Sequence, residues 1–443
     1  MDPAHPPHLS RVRAVPRPQV AVTESQTIHW DLPAILLFSL LFLGGIRPER
    51  IIPGLEILVS LPTFFLGLLF LLWLTSSGKV IHNPQTKYYF GFVLLTILGT
   101  LFARNSGFAL LITKPLVITF LGYLCTTTFL NTSIRVERYI QWRFYLSVVP
   151  ALIALSQRGK VMTLPLLEDE NDFALFINIM LPFAFFLGQA GSTIRQKLLP
   201  YSLGCLLLVA HAASLSRGGF LGLLVVVAYC WFWTTRKLLT TVLLVGGLAS
   251  MVILSPPKFL DELKTILPAF QDPDADNSAE NRIYSWKVGW KMFLDHPIIG
   301  VGPANYGIWF PVYEPSGRGQ QHWGRVPHSL YITLLAEHGV VGVILFLLVL
   351  SAIIRDHSSI IARYKRYDRL PRSGEITGSD QRYASSAVRF SYFMTHALMC
   401  SLLAYLVTGL FISVFHYGYF WHLTAILVAL TNCVHRMADR DTA

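Results

Sequence analysis

The sequence predicts an all-α polytopic membrane protein of about 12 transmembrane helices with one long external loop. Three observations carry this. Of 443 residues 53% are hydrophobic and only 14% charged, with positive mean hydropathy, too few charged groups for an ordinary soluble domain. The apolar residues gather into runs near 31–46, 51–74, 88–103, 108–130, 139–157, 172–190, 198–215, 219–233, 238–254, 329–354, 389–411 and 414–434. Several are shorter than the ~20 residues of an ideal span. One long polar stretch, 255–328, separates the ninth run from the tenth.

In chain order, residues 1–30 carry Arg11, Arg13 and Arg17 among several prolines and read as a disordered cytoplasmic tail. The apolar run that follows lacks a small-residue cleavage site, so it reads as a first span, not a removed signal peptide. Segment 31–254 holds spans 1–9, 255–328 is the long external loop, and 329–354 is span 10. Segment 355–388 is a basic cytoplasmic loop, 389–434 holds spans 11–12, and 435–443 is a second cytoplasmic tail. The distribution of Lys and Arg sets this orientation. With the N-terminus inside, the inside segments hold most of the 36 basic residues. The short outside connections carry only Arg47, Arg50, Arg104, Arg158, Lys160 and Arg217. Both termini are therefore expected in the cytoplasm.

The same bias accounts for much of the net charge of +11. Aromatic residues do not interleave with a basic patch, so nucleic acid is not an expected partner. Cys125, Cys205, Cys230, Cys400 and Cys433 all fall in apolar runs without CxxC or Cys/His spacing, which argues against disulfides and zinc. The run Asp272, Asp274, Asp276 lacks the glycine and terminal glutamate of a calcium loop and reads as solvated loop, not as a metal site.

Within the long loop, 280–294 reads as an amphipathic helix. Ile283, Trp286, Trp290, Phe293 and Leu294 share one face, Asn277 with Glu280 can cap it, and Pro297 stops it. Two tryptophans on one face suit the bilayer interface or the bundle surface. Arg282 sits at the edge of that stripe, either snorkelling toward headgroups or gripping a lipid phosphate with its planar fork. The outside turn Ser214-Leu215-Ser216-Arg217-Gly218-Gly219 is either a plain hairpin or an anion-binding concavity of backbone N–H groups beside Arg217.

His328, in Val326-Pro327-His328-Ser329, is placed where the long loop meets span 10. A neutral imidazole there can accept a hydroxyl proton; the bland alternative is a helix-capping histidine. Taken as the first residue of a helix, it shares a face with Leu335, Gly339 and Gly342, the glycines admitting a neighbouring helix. Glu337 points to the opposite face, and as an intramembrane carboxylate is expected to bond to another helix. Gly300-Val301-Gly302-Pro303 reads as a turn.

Taken in order, these motifs resemble the O-antigen ligase and O-antigen polymerase superfamily of bacterial membrane glycosyltransferases. The resemblance lies in Ser216-Arg217-Gly218-Gly219, Asn281-Arg282 with Trp286 and Trp290, and His296 through Tyr306. Pro327-His328-Ser329 and Ala336-Glu337-His338-Gly339 with Gly342 complete it. It implies a GT-C-type bundle in the bacterial inner membrane with its active site on the periplasmic face. The implied reaction moves a glycan from undecaprenyl diphosphate to an acceptor hydroxyl, with no nucleotide sugar, metal or other cofactor. The residue pattern carries over His328 as catalytic base and Arg217 and Arg282 as the diphosphate-binding pair. A ligase would use lipid A–core as acceptor; relatives use another repeat unit or a protein. The His-Ser and Gly-x-x-Gly pattern is closer to the ligases. A transporter of lipid-linked glycan is the competing class, but intramembrane charge is sparse and the candidate residues cluster on one side.

Overall fold

The computed structural model describes residues 28–52, 54–157, 167, 169–234, 236–254, 277–314, 324–368 and 379–442. Asp272, Asp274 and Asp276 and nearly all of the N-terminal tail lie outside them. The described residues are helical, without strands: α1 Leu32–Ile46, α2 Leu61–Thr75, α3 Pro84–Phe102, α4 Ser106–Phe129, α5 Ser133–Leu146 and α6 Val148–Ser156. These are followed by α7 Glu170–Ala190, α8 Ile194–Ala213, α9 Arg217–Trp233 and α10 Lys237–Leu254. After the long loop's α11 Asn277–Asp295 and α12 Tyr306–Tyr313 come α13 Leu330–Asp368, α14 Ser379–Thr408 and α15 Tyr419–Thr442. Helix covers every predicted apolar run, and 6 helical stretches are long and apolar enough to cross a membrane by themselves. The chain is a multi-pass membrane protein.

Helix starts follow local chemistry. Asn83, Asn105, Thr132, Asp169 and Ser216 each accept a backbone N–H of the first turn, and Thr193 with Gln196 forms a reciprocal capping box. At the centre, α7 is buried along most of its length and packs against α8, α9 and α14. Gly222 makes the α9 contact possible, because a Cβ there would meet Thr408 Oγ1 at 2.1 Å and Asn178 Nδ2 at 2.6 Å. A second layer joins α13 to α3, α3 to α4, α4 to α15, and α1 to α2 and α5.

Contacts between connections sort them to two ends. Asp31 pairs with Arg135 at 2.7 Å and Gln85 with Asp356 at 2.8 Å at one end. At the other, Asn105 N donates to Asn305 Oδ1 at 2.8 Å, Ser216 to Asn171 at 2.7 Å, and Tyr417 to Asp172 at 3.0 Å. The connections 103–105, 214–216, 297–305 and 409–418 therefore share one face, as the alternation of spans requires.

The sequence expectation for span 10 needs correction. His328 is not on the helix: α13 begins at Leu330, and Ser329 Oγ sits in the capping position, 3.5 Å from Ile332 N. A shared helical face with Leu335, Gly339 and Gly342 therefore does not aim the imidazole. Nor does Gly339 admit a helix. It has φ 60° and ψ −162°, a conformation essentially reserved for glycine, and breaks α13. The N–H groups after the break find acceptors in the long loop: Val340 N donates to Pro297 O at 2.8 Å and Val341 N to Ile298 O at 3.2 Å. In return Val301 N donates to Ala336 O and Gly302 N to Glu337 O. The turn at Gly300 and Gly302 (φ 71° and 94°) is thus spliced into the broken helix. Glu337 bonds this loop, the start of α12 and His416: it accepts from Ala304 N (2.9 Å), from Tyr306 N at the first residue of α12 (3.2 Å) and from His416 Nε2 (2.9 Å).

Two further expectations change. Segment 355–388 is not all loop: α13 continues to Asp368 and α14 starts at Ser379, because no glycine or proline stops either and Ile360 stays buried. On α11 the packed face is not the tryptophan stripe. Ser285, Val288 and Met292 are buried with Gly289, whereas Trp290 and Leu294 are exposed. Small residues at 285 and 289 let Ile332 and Tyr306 close in, a Cβ on Gly289 meeting Ile332 at 2.4 Å. Of the two tryptophans Trp290 faces outward, whereas Trp286 is half-buried.

Gly339→Ala should lower the unfolding temperature sharply, since a Cβ would stand 2.4 Å from Ile298 O and the backbone angle is strained for alanine. A cost of about 3 kcal/mol or more is expected. Gly67→Ala, in open space within α2, should be neutral or mildly stabilising. Equal melting temperatures for the two variants in the same detergent would show that the break is dispensable.

Candidate functional site

The site is assembled at the end of the bundle where the loops converge. Helix α11 supplies the anchor. Trp286 Nε1 donates to Pro327 O at 3.0 Å, and Asn281 Oδ1 accepts from the Arg325 guanidinium at 2.9 Å. These two bonds hold segment 325–327 along the first turns of α11, and so set His328 beside Arg282. Arg325 also lies over the Phe310 ring at 5.6 Å. From the other side, Leu330 N donates to Gly409 O at 2.7 Å, which fixes the start of α13.

Between these clamps His328 takes φ 48°, an unusual left-handed conformation for a non-glycine residue, though histidine visits it more readily than most. Its side of the chain stays exposed while Pro327 and Ser329 on either side are buried. The imidazole is therefore presented outward from a backbone that is held on both flanks. Partial burial pulls its pKa below the ordinary 6.5, and the positive charges of Arg282 and Arg325 push in the same direction, against an upward pull from Asp169. The neutral, proton-accepting form is favoured.

Arg217 starts α9. The residue before its cap, Leu215, also has positive φ (57°), an outlier for a bulky side chain. Ser216 caps α9 through Gly219 N and donates to Asn171 Oδ1, while Asp169 caps α7 two residues before Asn171. A Cβ on Gly218 would meet Phe411 at 3.1 Å, so the turn also abuts the 409–418 connection. Arg217 is thus joined to His328 by two short routes, through Asp169 and through Gly409. Arg282 and His328 lie within electrostatic reach of each other, with Asp169 the acidic member of the group.

Sequence reasoning missed several contributors. Arg325, Asp169 and His416 belong to no motif that marks them in the sequence. Only the pairing of His416 with Glu337 across the fold gives it a role. Among the described residues no cluster of three or more His, Cys, Asp or Glu side chains suited to a metal occurs.

Arg217, Arg282, Glu337 and His328 all fall within residues 203–347, which match the O-antigen ligase family. Over this stretch the chain is similar to the O-antigen ligases. No curated protein matches the chain. The O-antigen ligase-like segment runs from within α8 to the middle of α13, so it contains the Arg217 turn, α11, the spliced loop and the His328 junction. The helices that flank it, α7 and α14, supply Asp169, Asn171 and the Gly409 contact from outside the match.

The lowered His328 pKa predicts reactivity that persists in acid. Modification of His328 by diethyl pyrocarbonate, followed by peptide mass spectrometry, should rise with a midpoint below pH 6.5. Arg325→Gln should move the midpoint up by removing a repelling charge, and Asp169→Asn should move it down while preserving the cap. A midpoint at or above 6.5, unmoved by either change, would contradict the arrangement.

Proposed function

We propose that the protein is an O-antigen ligase-like glycosyltransferase. It moves a glycan from undecaprenyl diphosphate to an acceptor hydroxyl, lipid A–core in the reading favoured here, on the periplasmic face of the inner membrane. The observation that carries the proposal is the imidazole of His328, presented on a left-handed turn within electrostatic reach of Arg282 in the segment similar to O-antigen ligases.

In this reading the acceptor hydroxyl gives its proton to neutral His328 as its oxygen bonds to the anomeric carbon of the donor sugar. The bond from that carbon to the diphosphate breaks, and its electron pair leaves on the diphosphate oxygen. Arg217 and Arg282 take up that growing charge, Arg282 with its planar fork and Arg217 with the N–H groups that open α9. Arg325, tied to Asn281, adds a third cation to the same neighbourhood. Charged arginines aimed at a leaving diphosphate supply what Mg²⁺ supplies in many phosphate-handling sites, so no metal is needed. Glu337 acts at a distance, by holding the 302–306 loop against α13.

The test is transfer by purified protein from undecaprenyl-diphosphate glycan to a panel of acceptors: lipid A–core, the glycan repeat itself and a protein. His328→Ala should fold normally and lose about 10²- to 10⁴-fold in rate. A well-folded variant with near wild-type transfer would remove His328 from the base role. Transfer to the repeat unit but not to lipid A–core would make the enzyme a polymerase.

Arg217→Lys and Arg282→Lys should each remain well below wild type, because an ammonium cannot make the planar two-point contact. Full activity of both would reduce these arginines to snorkelling. Activity should also survive EDTA; loss on chelation, restored by Mg²⁺ or Mn²⁺, would point instead to Asp272, Asp274 and Asp276.

A further inference from the structure

Away from the His328 cluster, a cavity of about 420 Å³ opens among α1, α2, α4, α5, α6 and the start of α15, a volume in the range of small-molecule sites. Its walls are apolar over most of their extent, with Leu37, Leu41, Leu66, Leu69 and Ile118 among them. Two guanidinium groups also line it, Arg47 and Arg143, and no Asp or Glu does. We propose that this cavity binds a phosphate-bearing amphiphile, its apolar chain among the leucines and its phosphate between Arg143 and Arg47.

Arg143 carries the argument. The positive-inside pattern places it at a cytoplasmic margin, but the helix places it deeper. It lies about ten residues, or roughly 15 Å, along α5 from Ser133 at the cytoplasmic end. That removes it from the polar groups of the end where Asp31 pairs with Arg135. A cation at this depth is costly and marks a site unless it is paired. Among the described residues Arg143 makes no ion pair, and its buried Nε has no hydrogen-bond partner. The guanidinium is half-buried, and it faces the cavity.

Arg47 stands at the matching height. A Cβ on Gly45 would stand 3.7 Å from Leu146, so Arg47 sits just above that level and Arg143 just below it. Tyr419 lies within electrostatic reach of both arginines, and its ring lines the same space. Among the neighbouring polar groups Tyr139 bonds His422 at 3.1 Å and Tyr417 bonds Asp172 Oδ2 at 3.0 Å, while Asp172, whose Oδ1 has no partner, makes no ion pair with either arginine. The two cations remain to meet an anion, and the leucines below them to meet a chain. A membrane phospholipid and a polyprenyl phosphate share this chemistry. None of Arg217, Arg282 and His328 lines this cavity, and the proposal does not rest on the glycan-transfer reading.

The experiment is native mass spectrometry of the purified full chain with farnesyl phosphate, farnesol and phosphatidylglycerol, backed by thermal-shift titration. Saturable binding of the phosphate-bearing ligands at one site is expected, with farnesol much weaker. Whichever phosphate ligand binds tighter identifies the source. Arg143→Gln should weaken the phosphate ligands about ten- to a hundredfold and leave farnesol unchanged, the effect of removing one charge-assisted contact. Gly122→Leu provides a second variant that should fold. Gly122 lines the cavity with nothing within 4 Å of its Cβ position, so leucine would fill the space and improve helix propensity. It should exclude all three ligands with an unchanged or raised melting temperature. Equal affinity for farnesol and farnesyl phosphate would overturn the proposal. So would a folded Gly122→Leu protein that binds as wild type.

Discussion

The structure depends on a constraint that acts at every depth of a bilayer: a backbone N–H or C=O without a partner costs several kcal/mol where no water can reach it. Breaking a membrane helix is therefore possible only if something else supplies the missing bonds. At Gly339 the long loop supplies them. Pro297 and Ile298 offer their carbonyls to the helix, Val301 and Gly302 offer their N–H groups, and Glu337 closes the exchange onto Ala304, Tyr306 and His416. The loop and the helix are each incomplete without the other. A polar loop about 70 residues long thus becomes a rigid part of the bundle at its attachment point, consistent with irregular backbone being tolerated where protein buries it.

That rigidity is what makes a site possible at the membrane surface. The spliced loop carries Tyr306, which with Ser285 and Gly289 seats α11; α11 in turn clamps segment 325–327 through Trp286 and Asn281. His328 inherits its position from this chain of contacts and its electrostatic surroundings from Arg282, Arg325 and Asp169. Two of the four non-glycine residues with positive φ among those described, Leu215 and His328, stand beside charged groups of the candidate site, as is common where backbone strain is held in place by the packing around it. The strain is observed; its connection with transfer is the proposal.

The intramembrane arginine follows a different logic. Most polar groups inside the bundle are satisfied locally, such as Thr96 and Thr113 bonding carbonyls one turn back, or Asn178 bonding Gly219 O. Arg143 is not, and it lies on a cavity instead of a packed interface.

By itself the sequence determined the all-helical membrane character and the turn at Gly300–Gly302. These are consequences of local quantities: run length, hydropathy, and glycine or proline placement. It did not determine which face of α11 is packed, because the apolar stripe of a sequence does not say whether protein or lipid will cover it. Nor could it show that α13 breaks at Gly339, since a glycine four residues from a turn of helix reads equally as a close-packing site. The partners of Glu337, the depth of Arg143 and the outward presentation of His328 were decided only by the tertiary structure. Each depends on contacts between segments far apart in the chain, and no local pattern encodes which distant carbonyl, carboxylate or cavity a side chain will meet.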